Sequence, residues 1–320
     1  MATPEVEKEE QLNVESLTWG DLTWVNIEQP TERETEYLAQ NYPFHHLDLD
    51  DCLSRIQRPK IDEYKDYLFL VFHFPVFSKE ARVTTPSQVS AFIGQNYLIT
   101  LHKGELKPLV KLFKECQIDE ESRQENFSQG PGYLLYRIID RLVDYCLPIL
   151  SKIGDNIEQV EDNIFSSRRL PRAIEDVSTL RRDVISFRRI IWPIRAVIGS
   201  LEPKVRRFAK TDLTAYFGDM VDHVDKIWDG LDEYKEIIEG LHATHDSLAS
   251  NRLNEILRVL TIVATIATTL TVIVSFYGMN IPLPWGSNPG GSRLAWIMLT
   301  AVMLSIMGAM LYFFHRRRWI

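Results

Sequence analysis

The last 62 residues of this 320-residue chain contain neither aspartate nor glutamate, and residues 211–276 contain no proline. The first absence removes the charge that normally keeps a segment in water; the second permits one uninterrupted helix. Cysteine is scarce too. Cys52, Cys116 and Cys146 follow no disulfide or metal-ligand spacing, which fits a reducing compartment. Residues 1–12 lack the basic start and apolar stretch of a signal peptide. There is no glycine-rich phosphate loop, no metalloprotease histidine pair and no nucleophile elbow. The adjacent His45 and His46 cannot face one metal from a helix. Neither an enzyme nor an organic cofactor is expected. Outside the last 62 residues, 32 basic side chains stand against 44 acidic ones. That balance argues against nucleic acid, whose phosphates demand basic patches, and is compatible with cation binding.

Two long apolar runs dominate what is present. Residues 259–276 form 18 consecutive uncharged positions and residues 294–314 form 21. Each matches the roughly 20 residues a helix needs to cross a bilayer. The join, 277–293, is short and rich in Gly, Pro and Asn, so the runs read as a transmembrane hairpin. Arg252 and Arg258 precede the first span and Arg316, Arg317 and Arg318 follow the second, while the join has only Arg293. The positive-inside rule then places both termini in the cytoplasm and the join outside, in a cell membrane.

The first 130 residues mix strand and helix signals. LTWVNI (22–27) reads as a short strand, Thr31 opens a helix, and YLFLVFHFPVF (67–77) reads as a central strand. Residues 89–93 and 97–101, separated by Gly94-Gln95-Asn96, form a hairpin. After Pro131-Gly132 the pattern turns helical. Leu135, Ile139, Leu142, Cys146, Ile149, Ile153, Ile157, Val160 and Ile164 keep a three-four spacing, with a kink expected at Pro148. A second helix begins at Pro171 and runs to about Leu201. A third, over 211–276, would be about 100 Å long, running from the soluble region through the first span. The organisation is therefore an α+β domain over 1–130, helices and a stalk over 131–258, spans at 259–276 and 294–314, a loop at 277–293 and a basic tail at 315–320.

The first span is not uniformly aliphatic. Asn254, Thr261, Thr268 and Ser275 recur every seven residues, and Leu257, Ala264, Thr271 and Gly278 form a second series offset by three. Such a stripe is either a helix–helix interface of small residues or the lining of a narrow wet pore. It leads directly to Tyr277-Gly278-Met279-Asn280.

Two C-terminal spans, YGMN between them and a basic tail together resemble the CorA family of magnesium channels; the segment 46–60, ending in QRPK, is similar to that family as well. The resemblance implies a homopentamer in the lipid bilayer that passes Mg2+, with Co2+ or Ni2+ as secondary ions, down the electrochemical gradient. The pore-lining positions it implies are Asn254, Leu257, Leu260, Ala264, Thr268, Thr271 and Ser275, with Tyr277, Gly278, Met279 and Asn280 at the mouth. Thr268 departs from the methionine common there. Asn280 is expected to select the ion through its carbonyl, and Gly278 to permit a left-handed backbone turn. The resemblance also implies regulatory Mg2+ between subunits, at Asp51 with Asp219 and, more weakly, at Asp50 with Asp140. The plainer reading of Asp48, Asp50 and Asp51 is an acidic helix N-terminus. Two other functions stay open: a zinc transporter of the same superfamily, and a membrane-tethered scaffold or signalling protein using the hairpin as an anchor.

Overall fold

The computed structural model describes residues 12–54, 57–78, 83–165, 170–278 and 293–319. It divides into two compact units, 1–242 and 243–320.

The first unit is built on a six-stranded sheet: β1 (Val14–Trp19), β2 (Leu22–Glu28), β3 (Lys60–Glu63), β4 (Leu68–Ser78), β5 (Val83–Ile93) and β6 (Tyr97–His102). The spatial order is β1-β2-β6-β5-β4-β3. Only the β2–β6 pair is parallel. β1 and β2 turn through Gly20-Asp21, where Gly20 has φ +58°, the left-handed conformation a two-residue hairpin loop requires. The edge strands β1 and β3 were not evident in the sequence: β1 alternates with polar residues and β3 is only four residues of KIDE.

Both faces of the sheet are covered, which is why β4 reads as a nearly continuous apolar run. On one face Val25, Ile27, Phe69, Val71, Phe92, Ile99 and Leu101 pack against Leu38 of α1 (Glu32–Asn41) and Leu49 and Cys52 of α2 (His46–Leu53). Helix α1 opens on a Thr31-x-x-Glu34 capping box, in which the Thr31 amide donates to Glu34 Oε2 at 2.9 Å. On the other face Trp24 meets Phe113 of α3 (Lys107–Ile118) edge-on at 4.9 Å and Phe127 of α4 (Glu120–Phe127) at 6.3 Å.

Polar groups buried on that face are satisfied by each other. Trp24 Nε1 donates to Thr100 Oγ1 (3.0 Å), Thr100 donates to Asn26 Oδ1 (2.8 Å), and His102 Nε2 lies 3.0 Å from the same oxygen. The Gly104 amide donates to His102 Nδ1, fixing Nε2 as the protonated nitrogen.

The three-four seam after residue 130 is divided between two helices, α5 (Pro131–Asp144) and α6 (Cys146–Phe165). The chain breaks at Tyr145, so the kink expected at Pro148 is corrected to an interruption three residues earlier. Pro148 falls at the third position of α6, within the first turn, where a missing N–H costs little. Helix α7 (Leu170–Val205) tolerates Pro193 and Pro203. Helix α8 (Thr214–Tyr277) runs 64 residues without interruption. Its first half buries Phe217, Met220, Val224, Ile227, Leu231, Ile238 and Leu241, again at three-four spacing. Two ion pairs tie α7 to α8: Arg195 with Asp225, and Arg188 with Asp232, where the Arg188 guanidinium also lies over the Trp228 ring. The second unit holds the rest of α8 and the 24-residue α9 (Arg293–Arg316). Among the described residues, α8 is the one helix long and apolar enough to cross a membrane.

Candidate metal sites

The apolar half of α8 exposes nearly its whole surface. Asn254, Leu257, Leu260, Ala264, Thr268, Thr271 and Ser275 are all exposed. The less exposed positions are Ile262, Ile266, Thr269, Leu270 and Ile273, which share one face. At about 100° per residue the striped face lies on roughly the opposite side of the helix from it. The stripe is thus unpartnered among the described residues.

Its hydroxyls are not all free to donate. Thr261 Oγ1 donates to Leu257 O (2.7 Å), Thr265 to Thr261 O (2.6 Å), Thr269 to Thr265 O (2.8 Å) and Thr271 to Ala267 O (2.8 Å). A back-bonded hydroxyl presents only its acceptor lone pairs to the outside. The expectation that these hydroxyls simply wet the face is therefore refined: Thr261 and Thr271 act there as acceptors.

At the end of α8 the expected backbone turn is corrected. Gly278 is not in the left-handed region, and its amide continues the helix by donating to Val274 O at 2.9 Å. A Cβ there would lie 3.3 Å from the Val274 carbonyl oxygen, a matter of space and not of φ. The Tyr277 side chain, Met279 and Asn280 lie outside the described residues.

The acidic residues fall in two places. On α2, Asp48 is buried and accepts from Tyr67 OH (2.9 Å) and Tyr64 OH (3.2 Å), so it is structural. Burial outweighs these bonds and holds its pKa above the usual carboxylate value. Asp50 is exposed. Asp51 is not free: Gln57 Nε2 donates to Oδ1 at 2.6 Å and Lys60 Nζ lies 2.6 Å from Oδ2. Lys60 also pairs with Asp62. Burial opposes the Lys60 charge, but bonds to Asp51 and Asp62 prevail and raise its pKa.

The second place joins α5 to α8. Ligand atoms of Asp140, Asp144 and His223 all lie within 4.8 Å of one another. His223 Nδ1 is 3.3 Å from Asp144 Oδ1 and Nε2 is 3.9 Å from Asp219 Oδ2. His223 Nδ1 is buried yet has no partner in hydrogen-bond geometry. Burial first, then the charge of Asp144, raises the pKa of Asp140. Two carboxylates and an imidazole with an unclaimed nitrogen form a donor set suited to a divalent ion. Of the four acidic residues singled out by sequence, Asp140 and Asp219 therefore meet around His223, while Asp50 and Asp51 sit apart on α2. Asp144, His223, Gln57 and Lys60 were overlooked. The i,i+4 pairs Asp140/Asp144 and Asp219/His223 were the signal for the first two, since such residues share a helix face.

Residues 19–317 match the family described as CorA-like Mg2+ transporter protein. The cobalt/magnesium transport protein CorA of Thermotoga maritima is 29% identical over 316 residues, covering 95% of this chain and 83% of its own length. The complete structure of the CorA magnesium transporter from Methanocaldococcus jannaschii covers 99% of this chain and 95% of that one, with a TM-score of 0.80 at 25% identity. More distantly, the zinc transport protein ZntB of Cronobacter sakazakii is 20% identical over 93% of this chain and 88% of its own. The chain belongs to the CorA-like Mg2+ transporter family, whose members are divalent metal ion transporters of the cell membrane and not enzymes.

Proposed function

We propose that this chain forms a homopentameric channel for Mg2+ influx, with Co2+ and Ni2+ as secondary ions, gated by cytosolic Mg2+. Residues 259–276 and 294–314 are its two spans, both termini are cytoplasmic, and residues 277–293 face outward. The observation carrying this reading is the exposed seven-residue stripe of α8, whose Thr261 and Thr271 oxygens are available only as acceptors. Waters coordinating a cation turn their hydrogens outward, so they need acceptors from a wall. Mg2+ sheds its waters reluctantly and favours six oxygens in octahedral array, so passage with its inner waters retained is the route of lowest cost. One chain cannot enclose a lumen with this single face; a ring of copies can. Asn280 supplies a carbonyl at the mouth, and Leu257 and Leu260 close the pore by excluding water. A doubly charged ion gains about 4.6 kcal/mol per 100 mV on entering a negative cell, so no nucleotide is required.

Regulatory Mg2+ is held by Asp51 with Asp219 and by Asp50 with Asp140, each pair contributed by neighbouring subunits. Within one chain Asp144 and His223 complete the surroundings of Asp140. A divalent ion there turns carboxylate repulsion into a bridge and holds the ring closed; its loss loosens the ring.

Zinc transport is the second reading. It is kept open by the similarity to a zinc transport protein and by the acid-free loop after Asn280, whereas Met279 within Gly-Met-Asn favours magnesium. Flux of Mg2+, Co2+, Ni2+ and Zn2+ into proteoliposomes under an inside-negative potential separates the readings. Mg2+ entry that rises with potential supports the channel. Zn2+ entry without Mg2+ entry assigns the zinc function, and no flux at all leaves the hairpin as an anchor for a scaffold.

A further inference from the structure

We infer that the segment Gln57-Arg58-Pro59-Lys60 is a built-in substitute for the divalent ion at Asp51, and that exchange of Lys60 between Asp51 and Asp62 sets the ion concentration at which the soluble domain responds. This rests on the reading of Asp51 as a regulatory ligand. Both ends of the segment close on the same carboxylate. Gln57 Nε2 takes Oδ1 at 2.6 Å and Lys60 Nζ takes Oδ2 at 2.6 Å, so each oxygen already has a donor. The Asp51 side chain is only 18% exposed, and its backbone carbonyl is held by Gln88 Nε2 at 3.0 Å. An ion that takes these oxygens must displace the donors.

The position of Lys60 makes that displacement inexpensive. Lys60 and Asp62 are two apart on strand β3 and so project from the same face. The ammonium already touches Asp62 as well as Asp51 and lies 5.3 Å from the centre of the Phe69 ring. When a divalent ion takes Asp51, Lys60 stays on Asp62 and is not left unpaired. When the ion leaves, Lys60 neutralises Asp51 again, and a bare carboxylate is avoided in both states. Asp62 is thus the resting place of a tethered cation, and the competition between that cation and Mg2+ raises the Mg2+ concentration needed at Asp51.

The test is protection of the full-length protein in detergent from limited proteolysis, titrated with Mg2+ and separately with Co2+. Removing the tethered charge with Lys60→Met lowers the half-protecting Mg2+ concentration by about fivefold, the scale of one partly exposed ion pair. Lys60→Arg keeps the charge and does not lower it. Gln57→Leu, outside any helix or strand, frees one oxygen and lowers it by about twofold, which keeps the test available should Lys60→Met fold poorly. Asp62→Asn leaves Lys60 wholly on Asp51 and raises the concentration in the wild-type background, but has no effect when combined with Lys60→Met. That non-additivity separates exchange from a general loss of negative charge. If Asp51→Asn raises the half-protecting concentration while Lys60→Met and Gln57→Leu leave it unchanged, the substitute-ion inference is overturned and the regulatory role of Asp51 stands. If Asp51→Asn itself changes nothing, the regulatory reading fails, and this inference with it.

Discussion

Replacing Asp140 by Asn tests whether the Asp140–Asp144–His223 cluster is built for a metal. With donor oxygens at most 4.8 Å apart, two ionised carboxylates repel by about 3.5 kcal/mol at an effective dielectric of about 20. The Asp144 side chain is 52% exposed, so water and salt reduce this to about 1 kcal/mol. Without divalent ions at neutral pH, Asp140→Asn should therefore raise the melting temperature by about 2–4 °C, as measured by thermal unfolding of the detergent-solubilised protein. The sign follows from the pKa of Asp140, raised above the ordinary 3.8 by burial and by Asp144. Ionising it in the folded state is unfavourable at neutral pH, and the penalty vanishes as pH falls below 3.8. The gap between variant and wild type should close over that same window. Wild type should gain stability on adding Mg2+ and gain more from Co2+ at equal concentration, because imidazole suits cobalt better than magnesium. His223→Gln should erase the excess. A variant less stable than wild type in the absence of metal, with an undiminished response to metal, refutes the argument: Asp140 would then be a structural acceptor.

Four further outcomes follow from the same chemistry. Asn280→Ala should abolish Mg2+ uptake into proteoliposomes while leaving the oligomer intact by size-exclusion chromatography, and near-normal uptake would remove Asn280 from the mouth. Leu260→Ala should leave a channel that conducts at high cytosolic Mg2+, since about 0.8 kcal/mol of apolar surface per lost carbon no longer opposes wetting, whereas Thr268→Met should lower conductance modestly. A leak from Thr268→Ala with a tight Leu260→Ala would move the gate to mid-pore. Gly278→Ala should retain helicity by circular dichroism and at least a third of wild-type uptake, because no left-handed backbone is required there. Asp219→Asn should weaken Mg2+ protection against proteolysis by about threefold, a modest effect for a carboxylate 66% exposed.

Legibility in the sequence tracked length and repetition. The heptad stripe and the proline-free stretch forecast α8 closely because their signals extend over dozens of residues. Strand β3 was invisible because its four residues, three of them charged, are too few to carry a period and its pairing is fixed by β4, a tertiary constraint. The same limit applied to the sites. Asp140 and Asp219 were expected to pair with Asp50 and Asp51 across subunits; their meeting around His223 within one chain depends on how α5 lies against α8. Asp51 was legible as an acidic residue; its engagement by Lys60 depends on where β3 sits, beyond any linear motif. At Tyr145 the seam continued in phase across a helix break, so periodicity alone gave no warning.

The seven-residue spacing on α8 has a geometric consequence for opening. An ideal α-helix slips about 20° per seven residues, so Asn254 and Ser275, three repeats apart, differ in bearing by about 60° on a straight rod. In an assembly that shares this stripe, Leu257 and Gly278, also three repeats apart, can both face the axis only if the helices coil left-handed around one another. Straightening that coil turns one end of the lining away while the other stays in place. In such an assembly the repeat would link the spacing of the helices at Leu257 to the bearing of Gly278, so a small rotation at one level would be felt at the other without any break in the helix.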